Sequence, residues 1–145
     1  MIESSLFLID TNILVYAYYK TDPKKHIIAN RLLEKCWKKE IKYIVSIQNL
    51  VELFFVITEK VESPIEFDKA KQIIIDITKF PNWIVINYDK KTILNAVNIK
   101  IEGKTSFWDS LIAATMLENN IFNIYTENEK DFNKIKNINV INPFK

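Results

Sequence analysis

Three carboxylates stand alone in long apolar runs, and any fold of this chain has to bury the runs while compensating the charges. Asp10 is the only charged residue between Glu3 and Lys20, Glu52 the only one between Lys42 and Glu59, and Asp109 the only one between Lys104 and Glu118. An unpaired carboxylate in such surroundings is costly to bury or takes up a proton instead. Each acid therefore needs hydrogen-bond donors, a cationic partner or a metal ion.

The local context of each acid narrows the choice. Leu6-Phe7-Leu8-Ile9 reads as a strand buried on both faces, so Asp10 falls at its carboxyl end, where open α/β sheets place ligands and chemistry. Glu52 lies among Leu50, Val51, Leu53, Phe54, Phe55, Val56 and Ile57, on a helix apolar nearly all round and hence buried. Asp109 occupies the opening turn of a helix that follows the capping residues Thr105 and Ser106. Local roles compete with a shared site: Asp10 as a helix cap, Glu52 as partner of a buried Lys or hydroxyl, Asp109 as a first-turn acid on the helix dipole. All three must hold together for the site to be dismissed.

The remaining sequence reads as strands alternating with helices. Expected strands cover 6–9, 43–47, 83–86, 121–125 and a short 138–141. Expected helices run over 11–20, from Asp22-Pro23 with Ala29, Leu32, Leu33, Cys36 and Trp37 on the buried face, over 48–60, from the capping box Ser63-Pro64-Ile65-Glu66 to Phe80-Pro81 with Phe67, Ala70, Ile74 and Ile77 buried, from Asp89 with Ile93, Leu94, Val97 and Ile101 buried, and over 106–119. Gly103, the only glycine, is expected to break the helix that begins at Asp89. This alternation predicts an α/β fold, a three-layer helix-sheet-helix sandwich on a mainly parallel four- or five-stranded sheet with right-handed crossovers.

Composition excludes several function classes. At 145 residues and 48% hydrophobic content the chain fits one globular domain spanning 1–145. A formal net charge of +2 is too small to argue nucleic-acid binding by itself. The lone Cys36 rules out an intramolecular disulfide and a cysteine-cluster metal site, and is read as core packing. Met1 to Glu3 carries no leader pattern and no stretch is long and apolar enough to span a membrane, so a cytoplasmic protein is expected.

Should Asp10, Glu52 and Asp109 converge, they form a set of hard oxygen ligands without cysteine and with one histidine in the whole chain. That chemistry suits Mg²⁺ or Mn²⁺ over Zn²⁺, and an open acidic site of this kind suits phosphoryl transfer with water activated by the cation.

At this level the chain resembles PIN-domain ribonucleases, most closely the VapC-type toxins of prokaryotic toxin-antitoxin pairs. Leu8-Ile9-Asp10-Thr11-Asn12 looks like the first motif of that family, Ser46-Ile47-Gln48-Asn49-Leu50-Val51-Glu52-Leu53-Phe54 the second, Phe107-Trp108-Asp109-Ser110-Leu111-Ile112 the third and Tyr125-Thr126-Glu127-Asn128-Glu129-Lys130-Asp131-Phe132 the fourth. The resemblance implies metal-dependent endonucleolytic cleavage of RNA to 5′-phosphate and 3′-hydroxyl ends. It casts Asp10 and Asp109 as metal ligands, Glu52 as ligand or water-orienting group, and Asn128 with Asp131 as completing the shell. Thr11, Asn12, Ser106 and Thr126 would support these by hydrogen bonding. Asn128 departs from the family pattern, where many members carry Asp, and brings no charge. The resemblance also implies a homodimer and a cognate antitoxin whose tail occupies the acidic cleft.

Other readings are open to test. A receiver-like phosphotransferase also places Asp after the first strand, but Asn12 stands where its second acid belongs. A PIN domain of RNA processing, or a catalytically weakened scaffold suggested by Asn128, are the alternatives within the family. Lys24, Lys25, Lys35, Lys38 and Lys39 read as a solvated face that could touch phosphate, and His26 as a surface residue.

Overall fold

Strands and helices alternate through residues 6–145, which a computed structural model describes. The reading of Met1 to Glu3 lies outside the described residues. The order is β1 (Phe7–Ile9), α1 (Thr11–Tyr18), α2 (Pro23–Trp37), β2 (Tyr43–Ser46), α3 (Ile47–Phe55), a π-helical segment (Val56–Lys60), α4 (Phe67–Lys79), β3 (Trp83–Ile86), α5 (Lys90–Gly103), α6 (Phe107–Glu118), β4 (Asn123–Tyr125), α7 (Glu129–Phe132) and β5 (Asn139–Ile141). All five strands are parallel, in the order β3-β2-β1-β4-β5.

The central strand explains the layers. Leu8 and Ile9 are both fully buried, and because neighbouring strand residues point to opposite faces they enter different cores. Ile9 joins Ile13, Leu33, Leu53, Ile73 and Ile77 from α1 to α4. Leu8 joins Ile112, Met116 and Phe132 from α6 and α7. Helix α5 lies on α6, where Ala96 packs with Leu111 and Ala114. The expected three-layer α/β sandwich is the observed one.

Several boundaries differ from expectation for identifiable reasons. Strand β2 ends at Ser46, because the Ser46 side chain caps α3 by accepting the Asn49 N–H at 3.0 Å, so Ile47 is helical. The helix expected over 48–60 passes into the π-helical segment after Phe55. Ser63-Pro64-Ile65-Glu66 forms no capping box: the Ser63 N–H donates to the Tyr19 hydroxyl (2.8 Å) and the Ile65 N–H to the Ile57 carbonyl (2.9 Å), so tertiary partners take these groups. Helix α4 accordingly starts at Phe67, which is 65% exposed, and buries Ala70, Ile73 and Ile77.

The largest reversal is on α5. The stripe Ile93, Leu94, Val97 and Ile101 faces solvent, while Thr92 and Ala96 are buried. The small Ala96 against Ala114 lets α5 sit close on α6, and this contact selects the narrower polar-and-small face over the bulkier one. Gly103 stays inside the last turn and Lys104 takes the left-handed position (φ 55°). What the glycine provides is a close approach, since a Cβ there would meet the Lys134 carbonyl oxygen at 3.2 Å. Helix α7 falls in the fourth motif, where no helix was expected. Cys36 is buried as expected.

Since β1 feeds both cores, Leu8→Ala and Ile9→Ala should each cost about 2–5 kcal/mol in urea unfolding. A loss under about 1 kcal/mol at either position would contradict this two-sided burial.

Candidate functional site

The sheet order reverses at β1, which has β2 on one side and β4 on the other. Connections leave in opposite directions at such a point and open a crevice at the carboxyl ends of the strands. Asp10 follows β1 and Thr126 follows β4, so both land in that crevice. The Asp10 N–H also donates to the Tyr125 carbonyl at 3.0 Å, which extends the strand pairing to the acid itself.

Four donors hold the buried Asp10 carboxylate. Its Oδ1 accepts the Thr11 N–H (2.8 Å) and the Asn49 amide (3.4 Å), and its Oδ2 accepts the Thr126 hydroxyl (2.7 Å) and the Asn12 amide (3.3 Å). Asn49 does a second job, its Oδ1 accepting the Ser46 N–H (3.1 Å) and hydroxyl (2.7 Å), so the cap of α3 and the orientation of Asp10 share one side chain. Glu52, one turn further along α3, accepts the Thr11 hydroxyl at 2.7 Å and the Gln48 amide at 3.0 Å. Gln48 reaches across to the Trp108 carbonyl as well, at 2.9 Å, and so ties α3 to the first turn of α6.

Asp109 sits in that first turn, its N–H donating to the capping Ser106 Oγ at 3.1 Å. The Asn128 amide donates to Asp109 Oδ2 (2.6 Å) and to Asp131 Oδ2 (3.2 Å). The Asn128 N–H in turn donates to Thr126 Oγ1 at 3.0 Å, and the Glu127 N–H to Asn12 Oδ1 at 3.2 Å. The fourth motif is thereby fastened to the first, and Asn128 and Asp131 act together, linked through one amide.

Asp10, Glu52, Asp109 and Asn128 line one open cleft of about 520 Å³, with Thr11 and Asn12, walled by Tyr16, Phe55, Val56 and Val61. No Lys or Arg lines it among the described residues. Lys25 at its rim is paired with Glu127 and lies 5.1 Å over the Tyr16 ring, while Lys38 pairs with Glu34, outside the cleft. His26 Nδ1 is 2.8 Å from the Tyr16 carbonyl oxygen and takes no part in the acidic cluster.

The electrostatics record this lack of a counter-charge. Burial pushes the Asp10 carboxyl up to about 6 against the pull of its hydrogen bonds, and the charge of Glu52 adds to the rise. Burial likewise raises Asp109 to about 7, followed by repulsion from Asp10, Asp131 and Glu52. Hydrogen bonding orients these acids without neutralising them.

The donor set is wholly oxygen, from carboxylates and an amide, and this chemistry fits a hard divalent cation. Among the described residues no three Asp, Glu, His or Cys side chains already close into a ligand shell. The amide of Asn128 occupies the Asp109 oxygen with an N–H. The sequence missed the parts of Gln48 and Asn49, although Gln48 precedes Glu52 by one helical turn and Asn49 follows Ser46 at capping-box spacing.

Comparison with known proteins gives the family and the fold. The PIN domain family model matches residues 7–138, and the chain belongs to that family. Its fold is similar to a chain of VapBC2 from Rickettsia felis, solved bound to a DNA fragment from their promoter (TM-score 0.66, 23% identity, 94% of this chain and 98% of that one). It is similar also to Mycobacterium tuberculosis VapC20, described as a Sarcin-Ricin loop cleaving toxin (TM-score 0.68, 18% identity, 89% and 94%), and to a chain of a toxin-antitoxin complex from Klebsiella pneumoniae (TM-score 0.65, 20% identity, 94% and 97%). Comparison with curated proteins returns no match.

Both raised carboxyls bind protons in the folded state that the unfolded chain has released, so their contribution to stability is fully present below about pH 4 and is lost as pH rises through about 6 to 7. The melting temperature without divalent cations should be higher at pH 5 than at pH 8, and Asp109→Asn should flatten the difference. A wild-type curve that climbs over this range would contradict the assignment.

Proposed function

We propose that this protein is a Mg²⁺- or Mn²⁺-dependent endoribonuclease, acting as the toxin of a toxin-antitoxin pair, with the whole chain as one PIN-type nuclease domain. The observation that carries the reading is the meeting of Asp10, Glu52 and Asp109, from three separate elements, in one cleft at the sheet's switch point with no described Lys or Arg lining it to offset them. A cluster of like charges, one buried and two half-buried, held by this many donors is a place for a cation, and this reading accounts for three acids set in apolar runs.

Asp10 and Asp109 would hold the ion, with Glu52 beside them as ligand or as acceptor for the proton of an attacking water. A bound divalent cation offsets charge that develops on the scissile phosphate and favours water as the nucleophile. Thr11, Asn12, Thr126 and Asn49 fix Asp10, and Ser106 and Asn128 fix Asp109, so the acids are presented in place. The products would be a 5′-phosphate and a 3′-hydroxyl.

The toxin assignment is supported by similarity to toxin-antitoxin proteins over nearly the whole length of both chains. The exposed apolar face of α5, Ile93, Leu94, Val97 and Ile101, supports association with a further protein surface, a second copy or an antitoxin. An RNA target and an antitoxin partner would place the protein in the cytoplasm. No described helix is long and apolar enough to cross a membrane.

Asp10→Asn should abolish cleavage of single-stranded RNA in Mn²⁺ while the protein stays folded. In the same preparations Mn²⁺ should raise the melting temperature of the wild type, by linkage to binding, and leave Asp10→Asn unmoved. Cleavage undiminished in the variant would sink the proposal.

A further inference from the structure

Beside the acidic cleft lies a second pocket, of about 430 Å³, lined by Ile47, Gln48, Val51, Phe55, Tyr88 and Trp108. It shares Glu52 and Phe55 with the cleft, so the two form one continuous depression. Trp108 is 62% exposed although it immediately precedes Asp109, and Phe55 and Tyr88 are exposed as well. Leaving these rings partly exposed, Trp108 most of all, forgoes part of their hydrophobic gain. The Trp108 backbone is fixed all the same, its carbonyl accepting the Gln48 amide, and its ring meets Phe107 edge-on with centroids 5.6 Å apart. Gln48 itself is 6% exposed, and its Oε1 has no hydrogen-bond partner. The Nε2 of that amide is committed to two acceptors, Glu52 and the Trp108 carbonyl, so the amide cannot turn over to relieve the oxygen.

We infer that this aromatic pocket is a nucleobase subsite: it takes the unstacked base of a nucleotide adjacent to the scissile phosphate, stacked on Trp108 and bounded by Tyr88 and Phe55. The inference rests on the ribonuclease reading of the acidic cleft. Aromatic faces are the usual platform for bases of single-stranded RNA, because every base offers a π-face whatever its sequence. Contiguity through Glu52 sets the base within one nucleotide of the reacting phosphate. The Gln48 amide, held between Glu52 and the Trp108 carbonyl, fixes the wall that the pocket shares with the acids.

The test is binding of a short single-stranded RNA in EDTA, read by tryptophan fluorescence and by anisotropy, alongside cleavage in Mn²⁺. Trp37 is half-buried and Trp83 buried, so the exposed Trp108 should dominate quenching by RNA. Trp108→Ala should weaken binding about tenfold and Trp108→Phe should recover most of it. An oligonucleotide with one abasic nucleotide beside the cleavage position should bind wild type about tenfold more weakly and bind Trp108→Ala no worse than the intact RNA does. Equal binding of intact RNA by wild type and Trp108→Ala, with cleavage that still depends on Asp10, overturns the subsite and leaves the nuclease reading standing. No RNA binding and no cleavage by wild type overturns both. A change of molecular mass on Trp108→Ala, seen by sedimentation with RNA affinity unchanged, would assign the rings to contact with a second copy and overturn the subsite.

Discussion

The structure depends on a carboxylate buried at the end of its central strand. Taking Asp10 out of water carries a penalty that four hydrogen bonds only partly offset, which is why its pKa stays raised. Those four donors come from α1, α3 and the turn after β4, so the acid is also the point at which three segments distant in sequence are tied together. Thr11 donates to Glu52 and receives from Asn49, and Thr126 receives from Asn128, so the same network carries on to the other acids. A cost in solvation energy is thereby turned into positional accuracy for the site.

The topology makes this economical. The chain runs outward from β1 to the edge strand β3 and then crosses to β4 on the other side of β1, so a crevice opens at the carboxyl ends of β1 and β4. Helix α3 begins directly from β2 and brings Glu52 to the same end, while α6 presents Asp109 from the opposite layer in its first turn. The π-helical segment after α3 supplies Val56 to the wall of the cleft and its carbonyl at Ile57 pins the following loop. The elements around the candidate site thus hold the fold and shape the cleft with the same atoms.

Sequence patterning located the strands and the acids because both follow from one short-range rule: apolar runs seek the interior, and a charge inside one demands a reason. It read α5 on the wrong side because two stripes on that helix have helical spacing, Ile93-Val97-Ile101 and Thr92-Ala96-Ile99, and hydrophobicity favours the first. The deciding factor is the small surface of α6 at Ala114, a feature of the partner helix. The Ser63 capping box failed similarly, its backbone groups being claimed by the distant Tyr19 hydroxyl and by the Ile57 carbonyl of the preceding π-helical turn. At the site, Gln48 and Asn49 lie within a motif that was noticed, yet their roles depend on which way amides point in the folded cleft.

By itself the sequence determined the α/β class, the family resemblance and the identity of the acids, since these rest on local burial preference and on motif spacing along the chain. Only the tertiary structure decided that Asn128 joins Asp109 to Asp131, that no described basic side chain lines the cleft, and that Trp108 stands exposed beside it. These depend on the relative placement of side chains from separate elements, and an energy that arises between such groups leaves no periodic trace in the chain.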